Sequence, residues 1–168
     1  DLMIYTEKGC SNACIFCTVS RKGQPVTLDE NALITGLTNL QGRINSIQIA
    51  DDQFFRDKER AKRIFNKIIE LKLNEQFSFT VSATIESLLK NGAPDAELIN
   101  LAKKANFLKI FLGTESLNDN ILKELKGGRY NKIQAMKVSD YLHKSGIEVT
   151  NFMIASGIES RAIDFIES

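Results

Sequence analysis

Five short apolar runs, each followed by a stretch with helical spacing, constrain this chain more than any other feature. The runs are "LMIYT" (2–6), "INSIQIA" (44–50), "FSFTVS" (77–82), "FLKIFLG" (107–113) and "EVTNFMIA" (148–155). Between the first two, "TLDENALITGLTNL" predicts a helix, with Thr27 as N-cap and Glu30 three residues on, as a capping box requires. Asp57 caps the next helix, in which Ile64, Ile68 and Leu71 form the stripe. "PDAELINLAKKA" follows, with Pro94 suited to a first helical turn, and "NDNILKELKGG" and "NKIQAMKVSDYLHKSG" both end at glycine. Strands alternating with helices at about thirty residues per unit imply βα crossovers and a parallel sheet. Right-handed crossovers wind such α/β units into an open doubly wound sheet or part of a barrel.

In these architectures the chemistry gathers at the carboxyl ends of the strands. The segments found there are a cysteine loop, then "ADDQFF", "SATIES", "GTES" and "ASGIES". Polar residues therefore converge on one rim. The run "KERAKR" (58–63) reads as a solvated helix face, and His143, near a helix carboxyl end where a partly protonated imidazole suits the dipole, needs no catalytic role.

Bulk properties narrow the field. At 168 residues one domain is expected, burying roughly 70% of the unfolded surface. A net charge of +1 supplies no field for nucleic acid. No apolar run reaches membrane-spanning length, and the first residues lack the layout of a signal peptide. The chain opens inside an apolar run, with Met3 third, and stops at "SRAIDFIES" where a helix has just begun. An excerpt of a longer protein, truncated at both ends, is expected.

All three cysteines, Cys10, Cys14 and Cys17, fall in one loop as C-x3-C-x2-C, directly after the first predicted strand. An odd, local set is a poor disulfide framework, so a reducing, cytoplasmic compartment and a metal or reactive-thiol function fit better. Three thiolates can hold three irons of a 4Fe–4S cube and leave the fourth iron without a protein ligand. An open position marks a reactive metal site. Lys8, Arg21 and Lys22 flank the loop and would moderate its negative charge. The competing readings are a zinc-binding structural or sensor module, buried unliganded cysteines, and a redox "CIFC" pair. Zinc needs a fourth ligand, and the one histidine, His143, is remote. The redox pair leaves Cys10 unexplained.

The loop resembles the signature of the radical S-adenosylmethionine (radical SAM) superfamily, C-x3-C-x-Φ-C, with Phe16 as the aromatic Φ. The resemblance runs through essentially the whole chain, because the strand-end motifs recur in order, and "DDQFF" is similar to segments of cobalamin-dependent methylases and methylthiotransferases. It implies a partial (β/α)6 TIM-like barrel, with five of six units in a core domain spanning 1–168. It also implies a 4Fe–4S cluster on Cys10, Cys14 and Cys17, whose open iron is chelated by the amino and carboxylate groups of S-adenosylmethionine.

Further site residues follow from the same resemblance. Asp51 or Asp52 takes the place that binds the cofactor's amino group, or else the pair caps a turn. "GTES" supplies Gly113 for close backbone approach, with Glu115 and Ser116 at the ribose; a helix-terminal carboxylate is the other reading of Glu115. Ser82 and Thr84 meet ribose or carboxylate, or simply form a turn. Arg129 pairs with the carboxylate, or is a solvated loop arginine. Ile154 and Glu159 keep the adenine motif, although Phe152 and Ser156 stand where the family has glycines.

The expected activity is reductive cleavage of S-adenosylmethionine to a 5′-deoxyadenosyl radical, which starts methyl, methylthio or other transfer on an organic substrate. A non-radical cleavage of the sulfonium at the same site is the rival within enzymes. A flavodoxin- or ferredoxin-type protein would donate the electron, and cobalamin would enter through a domain outside this chain.

Overall fold

In the computed structural model, which describes residues 2–12, 14–19 and 24–154, the five expected strands are separated by helices, with two short β-pairs and one extra helix interposed. The elements are β1 (Leu2–Ile4), β2 (Glu7–Lys8), β3 (Val26–Thr27), α1 (Glu30–Asn39), β4 (Ser46–Ile49), α2 (Lys58–Glu70) and β5 (Ser78–Thr84). They continue with β6 (Leu89–Lys90), β7 (Ala93–Pro94), α3 (Ala96–Lys104), β8 (Phe107–Glu115), α4 (Asp119–Lys126), α5 (Lys132–Lys144) and β9 (Glu148–Met153).

The five expected strands form one parallel sheet in the order β1-β4-β5-β8-β9. Spatial order follows chain order without reversal, so there is no switch point of the doubly wound kind. The architecture is five units of a (β/α) barrel. Ile47, Ile49, Phe79, Val81, Ala83, Ile110 and Leu112 are buried with residues of the helices in one core, while alternate residues Met3, Gln48, Thr80, Ser82, Lys109 and Phe111 stay partly or well exposed on the opposite face. That alternation is the strand period of two, with one face against helices and the other left as the barrel's interior.

Aromatic packing fixes the centre. Phe107 stacks on Phe79 with ring centroids 4.7 Å apart and meets Phe65 edge-on at 4.7 Å, and Phe54 and Phe55 join the same cluster. Burial of such a ring contributes about 2 kcal/mol. The two phenylalanines of "DDQFF" are therefore core plugs, and they lock the backbone that carries Asp51 and Asp52.

Several local expectations shift. Helix α1 is capped by Asp29, whose carboxylate accepts from Ala32 N–H, whereas Thr27 belongs to β3 and pairs with Glu7. Pro94 lies in β7 and Asp95 caps α3. Leu71 leaves the apolar stripe and is 45% exposed beyond the end of α2. "KERAKR" is not a wholly solvated face, because Arg60 is buried and donates to the Thr6 carbonyl. Asp57 caps α2, Gly127 closes α4 in the left-handed region, and Asn131 with Gln134 makes the capping box of α5, with His143 in its last turn. Arg21, Lys22, Ser156, Glu159 and the expected terminal helix lie outside the described residues. No helix among the described residues is long and apolar enough to cross a membrane.

Candidate functional site

The cysteine loop leaves the carboxyl end of β1 and is clasped at its base. Glu7 is buried and receives a two-pronged ion pair from Arg56, at 2.9 and 2.7 Å, while β2 and β3 pair antiparallel across the loop's two ends. Asp51 accepts from Thr6 N–H and Thr6 Oγ1, each at 2.5 Å, and from Glu7 N–H at 2.9 Å. Asp52 accepts from Gly9 N–H at 2.8 Å. Gly9 has φ +95°, and a Cβ there would stand 3.2 Å from the Pro25 backbone, so glycine is required where the loop departs.

These contacts separate the two acids that share one expectation. Asp51 is buried with both oxygens engaged on the loop's base, which makes it a structural pin. Burial raises its carboxyl above the ordinary range, against the hydrogen bonds from Thr6 and Glu7 and the Arg60 charge. Asp52 is exposed beside the loop and remains the acid available at the rim.

Within the loop, Cys14 is buried and Cys10 and Cys17 are half-buried. Burial lifts the Cys10 thiol above its usual value, and Cys14, Cys17 and Asp52 raise it further against the Asn12 N–H donor. Arg129, from the α4–α5 connection, donates from Nη2 to Cys14 Sγ at 2.8 Å. This is no solvated loop arginine.

The strand-four motif folds back on itself. Glu115 sits in the left-handed region at φ 61°, past a register shift in the β8–β9 ladder. Its carboxylate returns over Gly113, where a Cβ would lie 2.9 Å from Glu115 Oε1. Lys126, itself buried, pairs with that oxygen at 3.4 Å and lies 5.8 Å from the Phe16 ring centre. Burial raises the Glu115 carboxyl above its ordinary value, with Lys126 pulling the other way and Glu86 adding to the rise. Ser116 is buried, and its Oγ accepts from Asn118 N–H at the start of α4, which makes it a turn former in this structure. Ile154 N–H donates to the Glu115 carbonyl, continuing the β9 edge to the rim. Ser82 lies on the open face of β5, opposite Phe111 in the ladder.

Sequence reasoning missed Glu86, Lys126 and Tyr130. Glu86 lies in "SATIES", one of the rim segments, yet only its serine and threonine drew weight. Lys126 has the pattern of a surface helix lysine. Tyr130 donates to the Gly113 and Thr114 carbonyls at 3.3 and 2.8 Å and holds the glycine strand end in place.

Because the Glu115 carboxyl is raised, its folded state binds a proton more readily than the unfolded chain does. Its contribution to stability is complete below the ordinary value of 4.5 and is lost as pH rises through the raised value. Glu115→Gln is expected to remove that descending limb from a plot of unfolding free energy against pH, and an unchanged plot refutes the assignment.

The donor set fits an iron–sulfur cluster. Three thiols within one short loop, with an arginine fork donating to Cys14, are suited to sharing positive irons. Among the described residues no three His, Cys, Asp or Glu side chains gather as ligands for a single ion. Buried Glu86 Oε2 and Arg129 Nε have no hydrogen-bond partner among the described residues, which leaves polar capacity unspent beside the thiols.

Comparison with known proteins agrees. The chain is similar over 90% of its length to the radical S-adenosylmethionine methyltransferase TsrM from Kitasatospora setae, at TM-score 0.77 and 17% identity. Over 98% of its length it is similar to the cobalamin-dependent S-adenosylmethionine radical enzyme OxsB, at TM-score 0.82 and 18% identity. Methylornithine synthase is similar over 99%, at TM-score 0.69 and 15% identity. The chain spans only 30%, 25% and 48% of those three proteins, and at these identities the likeness shows the fold. Among curated protein sequences none matches. The sequence model of the radical SAM superfamily matches residues 4–162, and with the strand order and the cysteine loop this places the chain in that superfamily.

Proposed function

We propose that this protein binds a 4Fe–4S cluster through Cys10, Cys14 and Cys17 and cleaves S-adenosylmethionine reductively at the adjoining rim. The observation that carries the reading is the loop itself: three thiols at the carboxyl end of β1, with Arg129 brought from far along the chain to Cys14. Bound there, the cluster would supply one electron to the sulfonium, whose carbon–sulfur bond breaks to give methionine and a 5′-deoxyadenosyl radical.

The protein's own groups bind and orient. Asp52 suits the cofactor's ammonium through a charge-assisted hydrogen bond, and the Arg129 fork beside Cys14 suits its carboxylate. Glu115 accepts from ribose hydroxyls while Gly113 leaves room for its carboxylate, and Ser82 lies within the same open face. Phe16 with Lys126 walls the site, and Ile154 at the end of β9 meets the adenine. The barrel interior excludes side reactions by surrounding the reacting centre.

Methyl or methylthio transfer to an organic substrate is the outcome we favour, supported by "DDQFF" and by the likeness to the methyltransferase TsrM. Cobalamin would then be held by a region outside this chain. A flavodoxin- or ferredoxin-type protein in the cytoplasm is the fitting electron donor, because clusters of this type reach very low potentials.

The test is anaerobic reconstitution with iron and sulfide. Broad visible absorption that bleaches with dithionite, together with 5′-deoxyadenosine release, is the expected result. Stoichiometric zinc and intact S-adenosylmethionine refute the proposal. Gly113→Ala should weaken equilibrium binding of S-adenosylmethionine roughly tenfold, about 1.4 kcal/mol, because the added methyl displaces the Glu115 carboxylate. Undiminished binding removes Glu115 from the cofactor site.

A further inference from the structure

Glu86 belongs to none of the cofactor contacts, yet it joins two groups that touch the cysteine sulfurs. Its Oε1 accepts from Asn12 Nδ2 at 3.1 Å. The same oxygen faces Arg129 Nε at 3.3 Å, an ion pair without the alignment of a hydrogen bond. Arg129 in turn donates to Cys14 Sγ at 2.8 Å, and Asn12 N–H donates to Cys10 Sγ at 3.4 Å. Asn12 lies between Cys10 and Cys14, so one carboxylate from the turn after β5 braces both the loop and the arginine.

The bracing matters because Arg129 follows the two glycines that end α4, Gly127 at φ 66° and Gly128 at φ 72°. The Arg129 side chain is part-exposed and reaches Cys14 with one nitrogen and faces Glu86 with another. Glu86 is a fixed partner: it sits in a short 3-10 turn, Glu86–Leu88, whose Ser87 and Leu88 are buried.

We propose that Glu86 is a positioning residue that holds the Arg129 guanidinium against the Cys14 sulfur, and so raises the reduction potential of a cluster on this loop. A cation donating to a ligand sulfur stabilises the more negative, reduced cluster, and hydrogen bonds around ligands tune potential in this way. The inference rests on the cluster assignment above.

Charge alone gives the opposite sign. Neutralising a carboxylate near the cluster raises the potential, whereas releasing Arg129 lowers it.

The experiment is a redox titration followed by electron paramagnetic resonance on anaerobically reconstituted protein without added S-adenosylmethionine. Wild type, Glu86→Gln, Arg129→Met and the double variant are compared at matched iron and sulfide content. Arg129→Met is expected to disfavour reduction by about tenfold, 59 mV for one electron. Glu86→Gln should shift the potential downward by less, and should produce no downward shift when Arg129 is already Met. A potential in Glu86→Gln that rises or stays put overturns the proposal, as does a downward shift that persists in the Arg129→Met background. A wild-type protein that loads no cluster overturns the functional reading instead, and this inference with it.

Discussion

Cys14→Ala is expected to abolish cluster binding and cofactor cleavage together, in a protein that remains folded. Removing one thiolate from three leaves two irons' worth of protein ligation, and the open corner loses its geometry. The cost to the fold is small, about 1 kcal/mol, because the substitution removes one buried sulfur from a loop that lies outside the hydrophobic core cluster. Cys14 touches Arg129 and contributes no sheet hydrogen bond, so the five-stranded core stands apart from it. Iron and sulfide analysis with visible absorption, 5′-deoxyadenosine yield and far-ultraviolet circular dichroism check the three parts in turn. Retained cleavage in a folded variant refutes the assignment of the loop.

Asp51→Ala should destabilise the fold by about 3 kcal/mol, a fall in Tm of roughly 10 °C for a domain of this size. The carboxylate satisfies Thr6 N–H, Thr6 Oγ1 and Glu7 N–H in a buried place. Its raised carboxyl shows that the charge is not cheap to bury, with Arg60 and the three donors offsetting part of that cost. Yet a costly acceptor is better than none. Donors stranded without an acceptor lose about 1–3 kcal/mol each, and Arg60, whose buried Nη1 has no hydrogen-bond partner among the described residues, would lose its nearby countercharge. The same truncation frees the base of the cysteine loop, so cluster content should fall as stability does. Denaturant unfolding checks the first part and iron content the second. A loss below about 1 kcal/mol would show that Asp51 does not pin the loop.

The contrast between Asp51 and Asp52 shows what was legible. Strand-end logic brings both to the rim. Only burial and partners decide that Asp51 is pinned beneath Thr6 and Glu7 while Asp52 stays exposed beside Gly9. Ser116 shows the same limit. It sits in a motif that resembles a ribose contact, yet its hydroxyl closes a turn at α4. Lys126 and Glu86 were illegible for a different reason. A lysine on a helix and a glutamate after a strand are common surface residues, and their value comes from partners far away in the chain, Glu115 and Phe16 for one, Asn12 and Arg129 for the other.

The pattern of apolar runs was enough to determine five parallel strands with helical crossovers, and the C-x3-C-x2-C spacing was enough to mark the loop on which we propose that the metal chemistry lies. Both are local properties, written in periodicity and in the short reach of a loop. Tertiary structure alone decided which charges meet those thiols and which merely hold the loop down. The reason is physical: burial and partnership depend on contacts between segments that sequence order keeps apart, such as Arg129 against Cys14.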